Sequence, residues 1–573
     1  MSGKRGTTTM NSKRIKDKKR IITCLTMLAM TSYPVYAATP PNSGTALEGV
    51  KPPTVSQLVQ EAPAISGEGQ KPVAPENSYG QKISVKAFRF SGESPLPENE
   101  LLNLVNSEAG KELALNELNR LAGKITEHLR HKGYLVAFAY IPAQDIKEGI
   151  VEIAVVPGKY GQIKITGDAH VDSDRLQAML FTAKPGMIIN KAPLERALLL
   201  INDLSGVNVK ATLTPGKEVG TADLVLSTAA TAKESAAVYS DNWGNRYTGR
   251  VRYGTQITVN NFSDNGDDFT LGGLTTGQGI NNYNFGYSAP LGHDGAKVEV
   301  QYSRVGYTLG EDFADLGATG RAAITSYDMS YPLIRSRSFS LYGTLGYDVK
   351  HLTDDIASYG SYSPRTSGLW NLKLSGNFAD TWLGGSANAF SLSHYRGRLT
   401  IDDATALAND TAQTNGDFSK TVLTFQRQQY VAKNLNFNFS FTGQLADKNL
   451  DSSEKLYLGG ADGVRAYPQG EACGDQGYRL TGEFRWRLPG LSAGANNLYL
   501  NAFYDYGSVM INKRPYSTDA NRRSLMGAGL GLLWTRDKNF AIRLDYAWKI
   551  GDEQAMADND RSSRFWLQGV KYF

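Results

Sequence analysis

Cysteine is nearly absent: the 573 residues hold two, Cys24 and Cys473. A disulfide-stapled scaffold is thereby excluded, and Cys473, with no histidine near it in sequence, reads as a small loop residue rather than a nucleophile. Long apolar runs are missing as well. Beyond residue 37 no stretch reaches the ~18 apolar residues that mark a membrane-spanning helix, so a helical membrane protein is excluded. Histidine is scarce and scattered, six in all. His128 and His131 lie three apart on a helical pattern, yet no cysteine or third histidine accompanies them as zinc would require, and they read as a solvated face. No glycine-rich nucleotide loop follows a strand pattern, and no paired carboxylates suggest a hydrolytic cleft. No catalytic residue, metal or cofactor is expected, and the chain does not read as an enzyme.

An excess of positive charge is missing too, once the start of the chain is set aside. The basic run KRIKDKKR (13–20), the apolar IITCLTMLAM (21–30) and the small-residue site VYA (35–37) form a secretory signal peptide, residues 1–37. That segment carries eight of the 61 Lys/Arg and one of the 56 Asp/Glu, which leaves 53 bases against 55 acids and a net charge of −2. Nucleic acid is therefore not an expected partner.

What remains is organised in three parts. Residues 38–80 are rich in Pro, Gly and Ser and form a linker with one short amphipathic candidate helix, TVSQLVQEA (54–62), a possible plug. Two repeated modules follow, 81–158 and 159–231. KAFRFSG (86–92) and GQIKITG (161–167) are alternating strands that end in Gly; each is followed by helical patterns and then two strands, which spells β-α-α-β-β twice. From 232 to 573 helical periodicity vanishes, and two-sided strands recur. YRLTGEFRWRL (478–488) sets Tyr478, Leu480, Phe484, Trp486 and Leu488 against Arg479, Thr481, Glu483, Arg485 and Arg487. Connections alternate short (430–434, 489–496, 535–539) and long (444–477, 508–523, 551–563). Apolar outside, charged inside, with short turns at one end and long loops at the other, describes an antiparallel transmembrane β-barrel of about sixteen strands rather than a soluble sandwich.

The longest connection, 444–477, contains GGADGVRAYPQG, whose core Val464-Arg465-Ala466-Tyr467-Pro468 holds one cation. On the next strand, FYDYG (503–507), alternation turns Phe503, Asp505 and Gly507 toward the lumen and Tyr504 and Tyr506 toward lipid. An acid inside a barrel requires a cationic partner. Arg465 can supply it if the loop folds inward; Arg485 or Arg543 on the wall can supply it otherwise.

The order of signal peptide, linker, two modules and barrel resembles the outer-membrane transporters of two-partner secretion, the filamentous-haemagglutinin and haemolysin transporter family. LERALLLINDLSGVNVKATLTPG with ADLVL resembles the second of that family's POTRA domains, LGGADGVRAYP (458–468) its long-loop motif and FYDYG its Phe-x-Asp-x-Gly strand motif. The resemblance implies that Arg465 enters the lumen against Asp505, with Val464, Tyr467, Phe503 and Gly507 around them as a loop-lumen lock. Ala466 departs from the Gly of the wider superfamily, which puts the loop tip in question. The implied function is export of one large unfolded exoprotein from periplasm to cell surface, recruited by the POTRA domains without nucleotide hydrolysis. The implied location is the bacterial outer membrane, with the modules in the periplasm. Expected partners are the exoprotein, outer-membrane lipid and, during biogenesis, the barrel-assembly machinery, which the terminal Phe573 suits; a monomer is expected. A barrel-assembly insertase shares the modules and loop motif and is the rival reading; a passive porin has no use for the modules.

Overall fold

The computed structural model describes residues 40–51, 65–66, 82–537 and 539–573. The leader 1–37 and the helix read into 54–62 lie outside the described residues.

Each module is a small sheet backed by two helices. In the first, Ala87–Gly92 pairs in parallel with Ile150–Val156, which pairs antiparallel with Phe138–Tyr140. With α1 assigned to Ser43–Gly49, α2 (Glu98–Val105) and α3 (Leu115–His131) cover this sheet. Helix α3 begins where the Glu117 carboxylate accepts the Ala114 N–H at 2.8 Å, and it buries Leu118, Leu121, Ala122, Ile125 and Leu129, a stripe at helical spacing. The second module repeats the plan with Lys159–Gly167, α4 (Ser173–Met179), α5 (Lys191–Asn202), Val207–Pro215 and Thr221–Ala230. The repeated glycine at the end of each first strand has one cause. Gly92 (φ +86°) and Gly167 (φ +114°) are left-handed, and a Cβ there would meet the carbonyl oxygens of Val155 and Thr228 at 2.3 and 1.8 Å.

Sixteen antiparallel strands close into a barrel, from Glu234–Asp241 round to Ser563–Tyr572. Alternation is the organising rule. On the last strand Phe565 and Leu567 are exposed toward lipid, whereas Trp566, Gln568 and Val570 are buried inside. Strand length is uneven. Ser361–Asp380 has 20 residues, about twice the 9–11 that a tilted crossing needs, so the wall rises beyond the hydrocarbon there. Closure is the shortest seam: first and last strands share five residue pairs, Ala237↔Tyr572 to Asp241↔Gln568, against eighteen between Phe339–Ile356 and Ser361–Asp380.

Polar contacts fix the second module to the short-turn end of the barrel. Asp203, just after α5, takes a two-pronged ion pair from Arg335 at 2.8 Å through both Nε and Nη2, and its carbonyl accepts from Lys297 Nζ at 2.6 Å. Ser205 donates to Asp268 at 2.8 Å, and Arg196 donates to the Pro332 carbonyl at 3.2 Å.

Candidate translocation pore and its folded loop

The long connection between Leu435–Ala446 and Gln476–Arg487 folds back into the barrel. Its arms pair as a short ribbon, Leu456–Tyr457 with Cys473–Gly474. Its tip is the sequence core: Val464 N–H donates to the Leu458 carbonyl at 2.8 Å, and Tyr467 N–H to the Val464 carbonyl at 3.0 Å. Val464, Ala466 and Tyr467 are buried with Leu458, Phe503, Val509, Leu525 and Ala547 in one apolar cluster. Among the described residues, Arg465 and Tyr467 are the two largest fully buried side chains.

Arg465 meets Asp505 through a fork. Nε to Oδ2 is 2.8 Å and Nη2 to Oδ1 is 2.9 Å, while the Arg465 backbone N–H reaches the same carboxylate at 3.1 Å. Thr481 donates to Asp505 at 2.8 Å. The guanidinium also touches Glu483 at 2.9 Å and Asp545 at 3.5 Å, lies 3.2 Å over the Phe503 ring, and the Arg465 carbonyl accepts from Trp566 Nε1 at 2.7 Å. The wall arginines are occupied elsewhere: Arg485 bonds Glu483 and Arg543 bonds Asp545, each at 2.8 Å. Three guanidinium groups thus face three carboxylates, so the buried cluster is neutral only with Arg465 in place. Burial alone would lower the Arg465 pKa; Asp505 and the other two acids reverse that and raise it, so the cation is fixed.

Small residues on the wall make room for the tip. A Cβ on Gly507 would meet Leu458 at 2.8 Å, and one on Gly527 would meet the Ala466 methyl at 2.6 Å. Ala466 is not among the positive-φ residues, so the departure from Gly costs no backbone strain, and Gly527 provides the space for its methyl. Cys473 sits in the short ribbon of this loop, where burial pushes its thiol up.

Farther down the loop a second set of ion pairs holds its base. Glu454 is clasped by Lys350 at 2.5 Å and Lys420 at 2.8 Å. Burial would raise its pKa, and the two ammonium groups bring it down to about 2. Glu471 takes Arg523 at 2.6 Å and accepts the Met556 and Ala557 N–H groups of the last long loop, 551–563, at 2.8 and 2.7 Å.

The lumen also holds α1. Asn42 caps it, accepting from Thr45 N–H at 3.2 Å. Ser43 donates to Asp354 through N–H at 2.8 Å and Oγ at 3.0 Å, and the Gly49 carbonyl at the other end accepts from Arg252 at 2.6 Å. Gly44 presses on the long loop, where a Cβ would lie 2.5 Å from the Ser452 backbone carbon. One side chain joins all three parts: Arg365, on the wall, pairs with Asp354 of the neighbouring strand, donates to Ser43 Oγ at 2.9 Å, and pairs with Asp451 of the long loop at 2.7 Å. Beside loop and helix lie cavities of about 710 and 580 Å³.

The six residues read from sequence as a lock therefore converge. Sequence reasoning missed α1, the Glu454 clasp and Arg365. It also did not single out Glu483 and Asp545 as acids facing Arg465, although alternation along YRLTGEFRWRL set Glu483 on the charged face. His128, on α3, bonds Glu100 at 2.8 Å.

Comparison with known proteins agrees with this architecture. The family described as haemolysin secretion/activation protein ShlB/FhaC/HecB matches residues 220–533, and the ShlB-type POTRA domain matches 83–158. The heme/hemopexin transporter protein HuxB of Haemophilus influenzae is 30% identical over 490 residues, 83% of this chain and 84% of that protein. The outer membrane transporter CdiB of Dickeya dadantii is 21% identical, covering 90% of this chain and 92% of the relative. Among solved structures, CdiB from Escherichia coli superposes with a TM-score of 0.69 at 19% identity, covering 99% of this chain and all of the other, which supports the fold.

Proposed function

The chain belongs to the haemolysin secretion/activation family of outer-membrane two-partner secretion transporters, which export a partner exoprotein, and on that premise we propose how this pore is closed at rest and opened by its client. Two inserts fill the lumen, the long loop and α1. The loop is locked at its tip by Arg465 on Asp505, with Val464, Tyr467, Phe503 and Gly507 shaping the seat. It is locked at its base by Glu454. Helix α1 acts as the plug, and Arg365 ties its release to that of the loop. The unfolded exoprotein is recruited in the periplasm by the modules, adding as a strand to a sheet edge, main chain to main chain. Folding outside the cell then prevents return, so no nucleotide is needed.

The observation that carries this reading is that the long loop and α1 are both seated on the inner wall of the barrel by ion pairs and hydrogen bonds, so a chain crossing the lumen meets both. The test separates recruitment from conduction. Deleting residues 82–230 is expected to abolish surface appearance of the exoprotein while leaving an ion-conducting barrel. Surface delivery by the deleted form would refute module-based recruitment.

A further inference from the structure

The outward face of the barrel wall changes character on its tallest strands, Ala318–Arg335, Phe339–Ile356, Ser361–Asp380 and Ser386–Ile401, which have 18, 18, 20 and 16 residues. Tyr327, Tyr347 and Trp370 stand side by side in one outward row, the last two rings 4.8 Å apart, and such an aromatic row marks the edge of the hydrocarbon. The next member of the row is a cation, Arg396, which faces Trp370. Arg398 lies beside Gly368, two residues or about 7 Å farther toward the long-loop end. Arg304, opposite Ala323, and Arg321, opposite Gly306 and Thr353, extend this face onto Ala296–Thr308 and Ala318–Arg335. Arg321, Arg396 and Arg398 are exposed, and Arg321 and Arg396 have no hydrogen-bond or ion-pair partner among the described residues. Acids are few on this face beyond the aromatic row: Asp355 at the top and, on the following strand, Asp417, which pairs with Arg398 at 2.6 Å. On Gln476–Arg487, Phe540–Lys549 and Ser563–Tyr572 the long-loop ends of the outward face carry neutral aromatics instead, Tyr478, Trp548 and Phe565.

We propose that Arg304, Arg321, Arg396 and Arg398 form a binding face for the phosphate groups of a glycolipid in the outer leaflet of the outer membrane. A base on the lipid side of a barrel is costly at the bilayer midplane and nearly free at the interface, so these arginines stand in the headgroup layer. On the long-loop side of a bacterial outer membrane that layer is built of phosphorylated glycolipid, and a guanidinium meets a phosphate through two parallel hydrogen bonds. A solvated rim mixes both signs of charge, whereas this face is basic. The acyl chains of the bound lipid lie against the aromatic row, and its phosphates against the arginines beyond it. The inner side of the same wall seats the plug, because Asp354 and Arg365, which hold Ser43, belong to Phe339–Ile356 and Ser361–Asp380. The lipid therefore braces from outside the strands on which α1 rests.

The test titrates fluorescently labelled diphosphoryl lipid A into the full chain in neutral detergent micelles. Arg321→Gln, Arg396→Gln and Arg398→Gln together should weaken binding about 100-fold, at about fivefold for each arginine; should the triple chain not refold, each single substitution is read against that fivefold loss. Replacing three exposed lysines of the modules, Lys124→Gln, Lys147→Gln and Lys164→Gln, removes the same charge elsewhere and should leave binding unchanged. Lipid A stripped of its phosphates should bind the unsubstituted chain at least about tenfold more weakly, and inorganic phosphate at equal concentration should not displace the labelled lipid. Full binding by the arginine-substituted chains, an equal loss in the lysine-substituted chain, or equal binding of the stripped lipid would overturn the proposal. So would displacement by inorganic phosphate, or a polyglutamate peptide that binds as tightly as lipid A.

Discussion

Replacing Arg465 by Ala probes the lock at the atom that closes it. The side chain is fully buried, makes the forked pair with Asp505, and is the third cation of a neutral six-charge cluster. Its loss leaves Asp505, itself completely buried, without its cation and the cluster with a net negative charge. Removing one partner of a buried pair costs about 3–5 kcal/mol, which at ~1.4 kcal/mol per tenfold shifts the closed–open equilibrium of the loop roughly 10²- to 10⁴-fold. The readout is deuterium exchange of the amides of Leu458, Gly459, Gly463, Val464 and Tyr467 in purified, detergent-solubilised protein, because those N–H groups are bonded within the folded loop and exchange only when it opens. Exchange should accelerate by that factor, while the lipid-facing strand amides of Phe540–Lys549 stay slow. Arg465→Lys keeps the charge but loses the fork, so its exchange should fall between the two. An Arg465→Ala chain whose tip exchanges within tenfold of the unsubstituted rate would refute the reasoning, since the loop would then be held by its apolar cluster and base alone.

Other outcomes follow from the same geometry. The Arg465→Asp chain should be impaired in secretion, and adding Asp505→Arg should restore part of it at unchanged expression; absence of any rescue counts against a direct pair. Glu454 titrates low, about 2 against an ordinary 4.5. A depressed value means that the ionised form favours the folded loop, so this stabilisation is complete above pH 4.5 and is lost as pH falls through about 2. Protection of the tip amides, taken relative to the intrinsic exchange rate at each pH, should therefore fall on acidification across that window, and Glu454→Gln should remove this component; a flat protection profile in the unsubstituted chain contradicts the clasp. Gly44→Val puts side-chain atoms where the Ser452 backbone lies, 2.5 Å from the added Cβ, and should raise single-channel conductance in planar bilayers by expelling α1. Unchanged conductance would mean that the helix does not limit the pore.

The barrel was legible in sequence because its rule is local: each strand separates a lipid face from a lumen face at period two, and Phe503, Asp505 and Gly507 could be aimed inward from their own strand alone. The Arg465 pairing was not legible from alternation alone. Arg485 and Arg543 were equally good partners on paper, and what separates them is that each already serves an acid two residues along its own strand, Glu483 and Asp545. Helix α1 is seven residues long with no apolar stripe, and it is held by Asp354, Arg365 and Arg252, each more than 200 residues away. The Glu454 clasp likewise joins three residues spread over a hundred positions. Contacts of that kind exist only once a barrel wall has brought distant strands around a common lumen. Ala466 raised a question that its own position could not answer, since the reply lies in Gly527 on the wall.

The most direct test of the closed-lumen account is to tether the loop. Ala466→Cys with Gly527→Cys, in a chain with Cys473→Ser, places two thiols on facing carbons; the 2.6 Å approach is about 1 Å shorter than a disulfide prefers, and the loop must yield by that much. With the disulfide formed, surface delivery of the exoprotein should stop, and reduction should restore it. Delivery at the unsubstituted rate from a fully oxidised chain would contradict the account, because the exoprotein would then be crossing with the loop still in its seat.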